Sequence, residues 1–363
     1  MPEEQYKELN RGVFLRLIKD KFAFWALIML GVLYLSIIFA PFLAPYSESY
    51  SNRQLSYAPP TKVYNVTSDY KLSRPYVYNY VRSFNPETYQ IEYNQDRTKK
   101  YYVHFFAKGY EYKILGFIPC NIHLFQVDKG GEIHLLGTDI NGRDNFSRIL
   151  FGGRISLTIG FLALFISFPI GMLYGGISGY FGGKIDAVMM RFAEAIMSIP
   201  SFYLLIILAA LLPAGMSSTQ RFTLIVVILA FLGWSGFSRV IRGMVLSIKK
   251  QEFVQASKTL GAGSMRIIVK HILPQTMSYV IVAITLSVPG YILAESSLSF
   301  LGLGIQQPDA SWGNMLKEAQ DYINILYRPW LLTPGFLIFI AILSFNLIGD
   351  TIRDILDPKS RER

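Results

Sequence analysis

Six long apolar runs constrain this chain more than any other feature. They lie near Phe22–Ala44, Ile155–Tyr180, Ala195–Leu212, Phe222–Phe237, Met277–Ala294 and Leu331–Gly349. A helix crossing the ~30 Å hydrocarbon core of a bilayer needs about 20 mostly apolar residues. Backbone in lipid must satisfy its own hydrogen bonds, and uninterrupted runs of this length imply helices, not barrel strands. The 52% hydrophobic composition agrees with a membrane-embedded chain. The first run is too long for a signal-peptide core and is followed by Pro41 and Pro45 rather than a small-residue cleavage site, so it is expected to remain as an anchor.

The net charge of +10 would suggest nucleic-acid binding in a soluble protein. In a membrane chain, the placement of Lys and Arg sets orientation instead. With the N-terminus inside, the inner pieces carry eighteen Lys and Arg, and the short outer loops only Arg221, Lys317 and Arg328. Long outer segments escape the rule, so the 14 between Pro45 and Arg154 do not count against it. Both termini and the polar loop before the fifth run are therefore expected on the cytoplasmic side. Trp25, Trp312 and Trp330 fall at span ends or in outer loops, where tryptophan anchors at the interface. Gly171, Gly175 and Gly179 share one face of the second run, a pattern that lets helices approach closely.

The loop preceding the fifth run carries a specific pattern. Gln255-Ala256-Ser257 is followed after three residues by Gly261 and after nine more by His271-Ile272-Leu273-Pro274. This resembles the coupling loop of ABC-importer permeases: Glu-Ala-Ala, three residues, Gly, nine residues, Ile-x-Leu-Pro. Gln255 stands in place of the family Glu, and His271 in place of Ile. Leu136–Leu157, Glu295–Gly304, Ser311–Met315 and Asn346–Pro358 resemble, in family order, the C-type permease subunit of oligopeptide, dipeptide and nickel importers.

The resemblance implies an all-α polytopic membrane protein: six transmembrane helices of the ABC type-1 importer fold with a small strand-rich extracytoplasmic insert. Its expected parts are a cytoplasmic N-terminal segment (1–21), a first span (22–44), an insert (45–150), a five-helix transmembrane domain with its coupling loop at 250–274 (151–349), and a cytoplasmic tail (350–363). It implies a bacterial inner-membrane location. The implied partners are a second, B-type permease subunit, one or two ATP-binding subunits and an extracytoplasmic substrate-binding protein, with no nucleic acid. ATP and Mg would be bound by the ATPase partners, with no cofactor in this chain. Peptides are the favoured cargo; nickel, glutathione-like and sugar-like ligands are served by related subunits.

Within the coupling loop, Ala256, Ser257 and Gly261 would allow close packing, and Phe253, Val254 and Leu260 would offer apolar anchors. Gln255 removes the family carboxylate, and Pro274 suits the first turn of the next helix. Glu295, with Ser296 and Ser297, is a candidate pathway or gate element, since an ionisable group near hydrocarbon usually faces a cavity or partner. Capping or packing, with the carboxylate reaching the outer interface, is the competing reading. Glu194 is read the same way. Asp350, Arg353, Asp354 and Asp357 are spaced for pairing along a terminal helix.

Pro45 to about Glu132 is polar and dense in tyrosine. A hairpin is expected at Lys100–Lys108 and Tyr110–Ile114, turning at Lys108-Gly109. A second is expected at Ile122–Val127 and Glu132–Leu136, turning at Asp128–Gly131. The tyrosines would build a small core or a binding surface. The segment resembles the larger insert of members that import peptide-derived antibiotics. His104, His123 and His134 lack the spacing of a ligand set, and the lone Cys120 reads as a buried, inert thiol.

No Gly-x-x-x-x-Gly-Lys-Ser/Thr loop is present: Gly182-Gly183-Lys184 runs into Ile185. No hydrolase elbow or zinc-protease helix occurs either, so a non-catalytic subunit is expected. A stand-alone channel or a receptor with an outer sensing domain is the alternative. A channel needs no coupling loop, and a receptor normally adds a larger inner domain than the tail seen here.

Overall fold

The computed structural model describes residues 16–66, 72–87, 90–114, 117–213 and 215–356. Among these, five helices are long and apolar enough to cross a membrane: Lys21–Ile38, Asn145–Phe181, Ser218–Ile248, Ser264–Phe300 and Pro329–Leu356. A sixth candidate is a bent pair, Gly183–Met197 and Ser201–Ala210, which meet at 76°. The straight run expected at Ala195–Leu212 is therefore broken. Pro200 lacks an N–H and disfavours helical backbone at Ile199, so the first helix stops and the second begins at Ser201.

In chain order we number the helices α1 (Lys21–Ile38), α2 (Ala40–Leu43), α3 (Asn145–Phe181), α4 (Gly183–Met197), α5 (Ser201–Ala210) and α6 (Ser218–Ile248). Then come α7 (Glu252–Thr259), α8 (Ser264–Ile267), α9 (Met277–Phe300), α10 (Trp312–Leu316), α11 (Tyr322–Tyr327) and α12 (Thr333–Leu356). The 37 residues of α3 span roughly 55 Å at 1.5 Å per residue, well beyond an apolar core. It begins at Asn145, inside the segment expected to be insert.

The chain divides into two compact units. One comprises Leu157–Leu298 with the described residues before Gly31 and after Ile338. In it, the glycine face of α3 packs directly on the backbone of α6. A Cβ at Gly171 would lie 2.9 Å from the Trp234 carbonyl oxygen, and one at Gly179 2.8 Å from that of Arg242. The small-residue pattern thus marks a backbone-to-backbone contact.

The other unit comprises Gly31–Ser156 and Ser299–Ile338. It holds a four-stranded antiparallel sheet, in the order β1 (Tyr64–Val66), β2 (Leu72–Val77), β5 (Tyr101–Ile114), β6 (Ile118–Val127), and a separate hairpin of β3 (Tyr80–Asn85) and β4 (Gln90–Gln95). Val77, Val103, Phe125 and Ile133 form one of its apolar clusters. Many tyrosines pack on one another: Tyr64 stacks on Tyr76 at 5.6 Å, and Tyr46 on Tyr50 at 4.3 Å.

The two expected hairpins are not where the sequence suggests. β5 runs on through Lys108-Gly109 and pairs with β6 from Val103↔Val127 to Ile114↔Ile118, with a shift of register between Lys108 and Tyr112. Gly109 serves close approach instead of a turn: a Cβ there would collide with the imidazole of His123. The turn at Asp128–Gly131 does form, but Glu132–Leu136 is not a strand. Cys120 is half-exposed rather than buried. Its pKa is lowered, chiefly by the Tyr112 hydroxyl beside it. Trp312 is not interfacial: it is 1% exposed, and its Nε1 donates to the Ile149 carbonyl at 3.0 Å.

The segment Leu136–Leu157 contains a buried polar knot. Asp139 accepts from Arg143 Nε at 2.6 Å and faces Arg148 Nε at 3.5 Å. Thr138 Oγ1 accepts from Ala58 N–H at 2.7 Å and donates to the Leu55 carbonyl. Asp144 accepts from both N–H and Oγ of Ser147, each at 2.7 Å, and from His134 Nδ1–H at 3.0 Å. Burial works to lower the His134 pKa, but hydrogen bonding and charge from Asp144 and Glu132 outweigh it and raise it to about 9.

A raised folded-state pKa on a histidine stabilises the fold fully below its unfolded pKa of 6.5 and loses that contribution as pH climbs through about 9. The shift corresponds to something on the order of 3 kcal/mol. Melting of the wild-type chain is therefore expected to fall between pH 6.5 and 9 more steeply than that of His134→Gln. Parallel melting curves for the two over that range would remove His134 as the cause.

Candidate functional site

The polar loop between α6 and α9 is built from its ends inward. Lys249, just past α6, donates from Nζ to the carbonyls of Gly179 at 2.7 Å and Tyr180 at 3.3 Å, capping acceptors in the last turn of α3. Gln255 Nε2 then donates to the Lys249 carbonyl at 2.9 Å, tying α7 back to that corner. This gives the Gln a physical role, because an ionised Glu has no proton to offer a carbonyl oxygen.

α7 ends in a Schellman turn. The Gly261 N–H bonds Lys258 O at 3.0 Å, the Ala262 N–H bonds Ser257 O at 3.1 Å, and Gly261 has φ +79°. That left-handed conformation explains the glycine. A Cβ at Gly261 would meet nothing within 4 Å in this chain.

The side chains of α7 divide by face. Val254 is 3% exposed and packs within this chain, so it is not available as an outward anchor. Phe253 and Ala256 face outward, and Leu260 is 87% exposed. Ser257 is half-buried, and its hydroxyl donates to Phe253 O at 2.8 Å. Lys250, Lys258, Arg266 and Lys270 are all exposed, so the apolar points sit in basic surroundings. Beyond α8, a π-helical turn (Ile268–Ile272) and a 3-10 turn (Leu273–Thr276) lead into α9. Pro274 sits at the start of the latter, where no N–H is required. Ile267, Ile268, Ile272 and Leu273 are buried, and Ile268 and Leu273 seat against Gly176 of α3. The loop thus stands on the helices through one face and presents the other.

A second feature beside this corner has no local sequence signature. Asp186 of α4 accepts from Arg242 of α6 at 2.8 Å and from Ser178 Oγ of α3 at 2.5 Å, linking three helices. The two ionic residues are 56 positions apart, so no spacing rule reveals them.

The candidate gate residues separate. Glu295 is fully buried rather than reaching an interface, and accepts from Ser296 Oγ at 3.4 Å. Ser297 lines a cavity of about 550 Å³ together with Phe202, Leu229 and Tyr291. An adjoining cavity of about 790 Å³ is lined by Phe237, Tyr279, Ser287, Tyr291 and Arg353. Tyr291 is common to both, and its hydroxyl lies 3.1 Å from Ser167 Oγ. Sequence reading missed Tyr291 because a hydroxyl among apolar helix residues gives no pattern. Glu194 pairs with Arg191 at 3.3 Å on an exposed face. Asp357 lies outside the described residues.

A family model for the binding-protein-dependent transport system inner membrane component matches residues 167–362. One for the N-terminal TM domain of oligopeptide transport permease C matches residues 9–60. The chain is 47% identical over 230 residues to the dipeptide transport system permease protein DppC of Bacillus subtilis, covering 63% of this chain and 69% of the relative. It is 45% identical over 229 residues to the oligopeptide transport system permease protein OppC of Haemophilus influenzae (63% and 71%). Identity to OppC of Escherichia coli is 42% over 230 residues (63% and 73%).

Proposed function

We propose, from the premise that this chain belongs to the binding-protein-dependent transport system inner membrane component family, that it is one permease half of an ATP-driven importer of di- or oligopeptides. Its partners are a second permease subunit, ATP-binding subunits that carry ATP and Mg, and an extracytoplasmic binding protein. The chain itself catalyses no reaction. Counted as one span, the bent pair α4–α5 brings the total to six, so that both termini and the 250–274 loop share one side of the membrane, in this reading the cytoplasmic side. The charge distribution supports that orientation, and the names of the relatives support peptide cargo.

The observation that carries the reading is the outward face of α7. Phe253 on α7 and Leu260 at its C-terminal end stand exposed, while Val254 is buried and Gln255 is tied through Lys249 to the end of α3, at the position where the family pattern places its coupling loop. A push on α7 would pass through Gln255 and Lys249 to the ends of α6 and α3, and through Asp186–Arg242 to α4. The helices lining the two cavities would then move as a set.

Reconstitution of the four kinds of subunit in liposomes tests this directly. ATP-dependent accumulation of a labelled dipeptide that disappears when this chain is omitted is the expected result. ATP-independent peptide flux through the chain alone would favour the channel alternative.

A further inference from the structure

Apart from the cavities among the long helices, a third cavity of about 450 Å³ lies in the insert-bearing unit. Tyr57, Tyr93, Tyr327, Trp330, Ile323 and Arg328 are among its walls. The Arg328 guanidinium sits 3.8 Å from the centre of the Tyr57 ring, and its Nη1 donates to Asn324 Oδ1. Among the described residues it forms no ion pair with a carboxylate. A guanidinium stacked on a ring keeps its remaining N–H donors in a planar fork suited to a carboxylate.

The aromatic walls are held by their polar edges. Tyr93 Oη donates to the Ser56 carbonyl, and Trp330 Nε1 to the Thr138 carbonyl at 3.3 Å. Tyr57 adopts φ +60°, a left-handed backbone rare for a bulky residue, with its N–H bonded to Asp139 O at 2.9 Å. Backbone strain of this kind gathers at ligand-holding sites. Tyr327 and Ile323 remain more than half exposed, leaving apolar surface at the cavity wall.

We propose that this cavity binds a carboxylate carried next to an aromatic or bulky apolar group, the chemistry of a short peptide's C-terminal residue. Arg328 takes the carboxylate, and the tyrosine and tryptophan rings take the side chain. The volume suits one large side chain with its terminal carboxylate and is too small for a folded protein segment. Identifying a transported peptide as the source rests on the peptide-permease reading; the recognition chemistry does not.

The test uses the full chain in lipid nanodiscs, without ATPase subunits, so binding is measured apart from transport. Ala-Phe and Ala-Phe-amide are compared by saturation-transfer NMR titration. The free acid is expected to bind at least tenfold more tightly than the amide. Arg328→Gln is expected to weaken Ala-Phe to the level of the amide while leaving the amide unchanged. Equal binding of acid and amide to the wild-type chain, which needs no variant, would overturn the proposal. So would unaltered Ala-Phe binding by Arg328→Gln.

Discussion

Gly261→Asn is expected to leave the chain folded and yet cut ATP-driven peptide uptake at least tenfold. Among residues with side chains, asparagine tolerates the left-handed backbone best, so the Schellman turn at φ +79° should survive. Within this chain there is room for the new atoms, since nothing lies within 4 Å of a Cβ at that position. A loss of transport would then come from a surface that packs against the open side of the turn. Close-packed contacts resist added atoms by ~1–3 kcal/mol, and a tenfold effect needs only about 1.4 kcal/mol. Gly261→Leu adds the left-handed penalty of roughly 1–2 kcal/mol and should lose more. The check is melting of the isolated chain against uptake and ATPase co-purification in the complex. Normal uptake by Gly261→Asn would mean that the glycine serves the turn alone.

Gly175→Leu should prevent the permease from folding at all. A Cβ at Gly175 would fall on the Ser238 carbonyl oxygen and lie 3.0 Å from the Arg242 nitrogen. Both are backbone atoms of α6, which cannot swing aside as a flexible side chain can. The helices must separate, and the losses spread along the shared face from Gly171 to Gly179. That should cost more than the ~1–3 kcal/mol of ordinary overpacking. Gly243→Ala, on α6 itself, meets nothing within 4 Å and serves as the control. Size-exclusion profiles without heating should show Gly175→Leu lost to aggregate and Gly243→Ala like wild type. A monodisperse Gly175→Leu would refute the backbone contact.

Much of this was legible in the sequence, because the strongest signals are periodic or local. Apolar length located the helices, the glycine spacing on α3 identified its contact face, and the interval from Gly261 to Pro274 marked the loop. Errors arose where one residue type serves two purposes. Gly109 resembled a turn but makes room for His123 within a long strand. Pro200 sat within an apolar run, and counting hydrophobicity hid the 76° break. Trp312 and Glu295 carry polar atoms near span ends, yet both are buried, Trp312 against Ile149 and Ser156, far from it in sequence. Pairings such as Asp186–Arg242, or Asp139 with Arg148, depend on how helices and loops come together and leave no trace in spacing. The exposure of Leu260 and burial of Val254 likewise needed the helix placed before its faces could be told apart.

An ATPase subunit seated on the 250–274 loop should shield Leu260 from reagents on the cytoplasmic side. Cys120 is the chain's lone cysteine, so Cys120→Ser combined with Leu260→Cys puts a single thiol at the strongly exposed position just past α7. Labelling with a membrane-impermeant maleimide is compared in right-side-out and inside-out vesicles, with and without the ATPase subunits. Labelling is expected in inside-out vesicles only, with strong protection once the ATPase subunits are present. Labelling from the outer side, or labelling undiminished in the assembled complex, would rule out an ATPase seat on this loop.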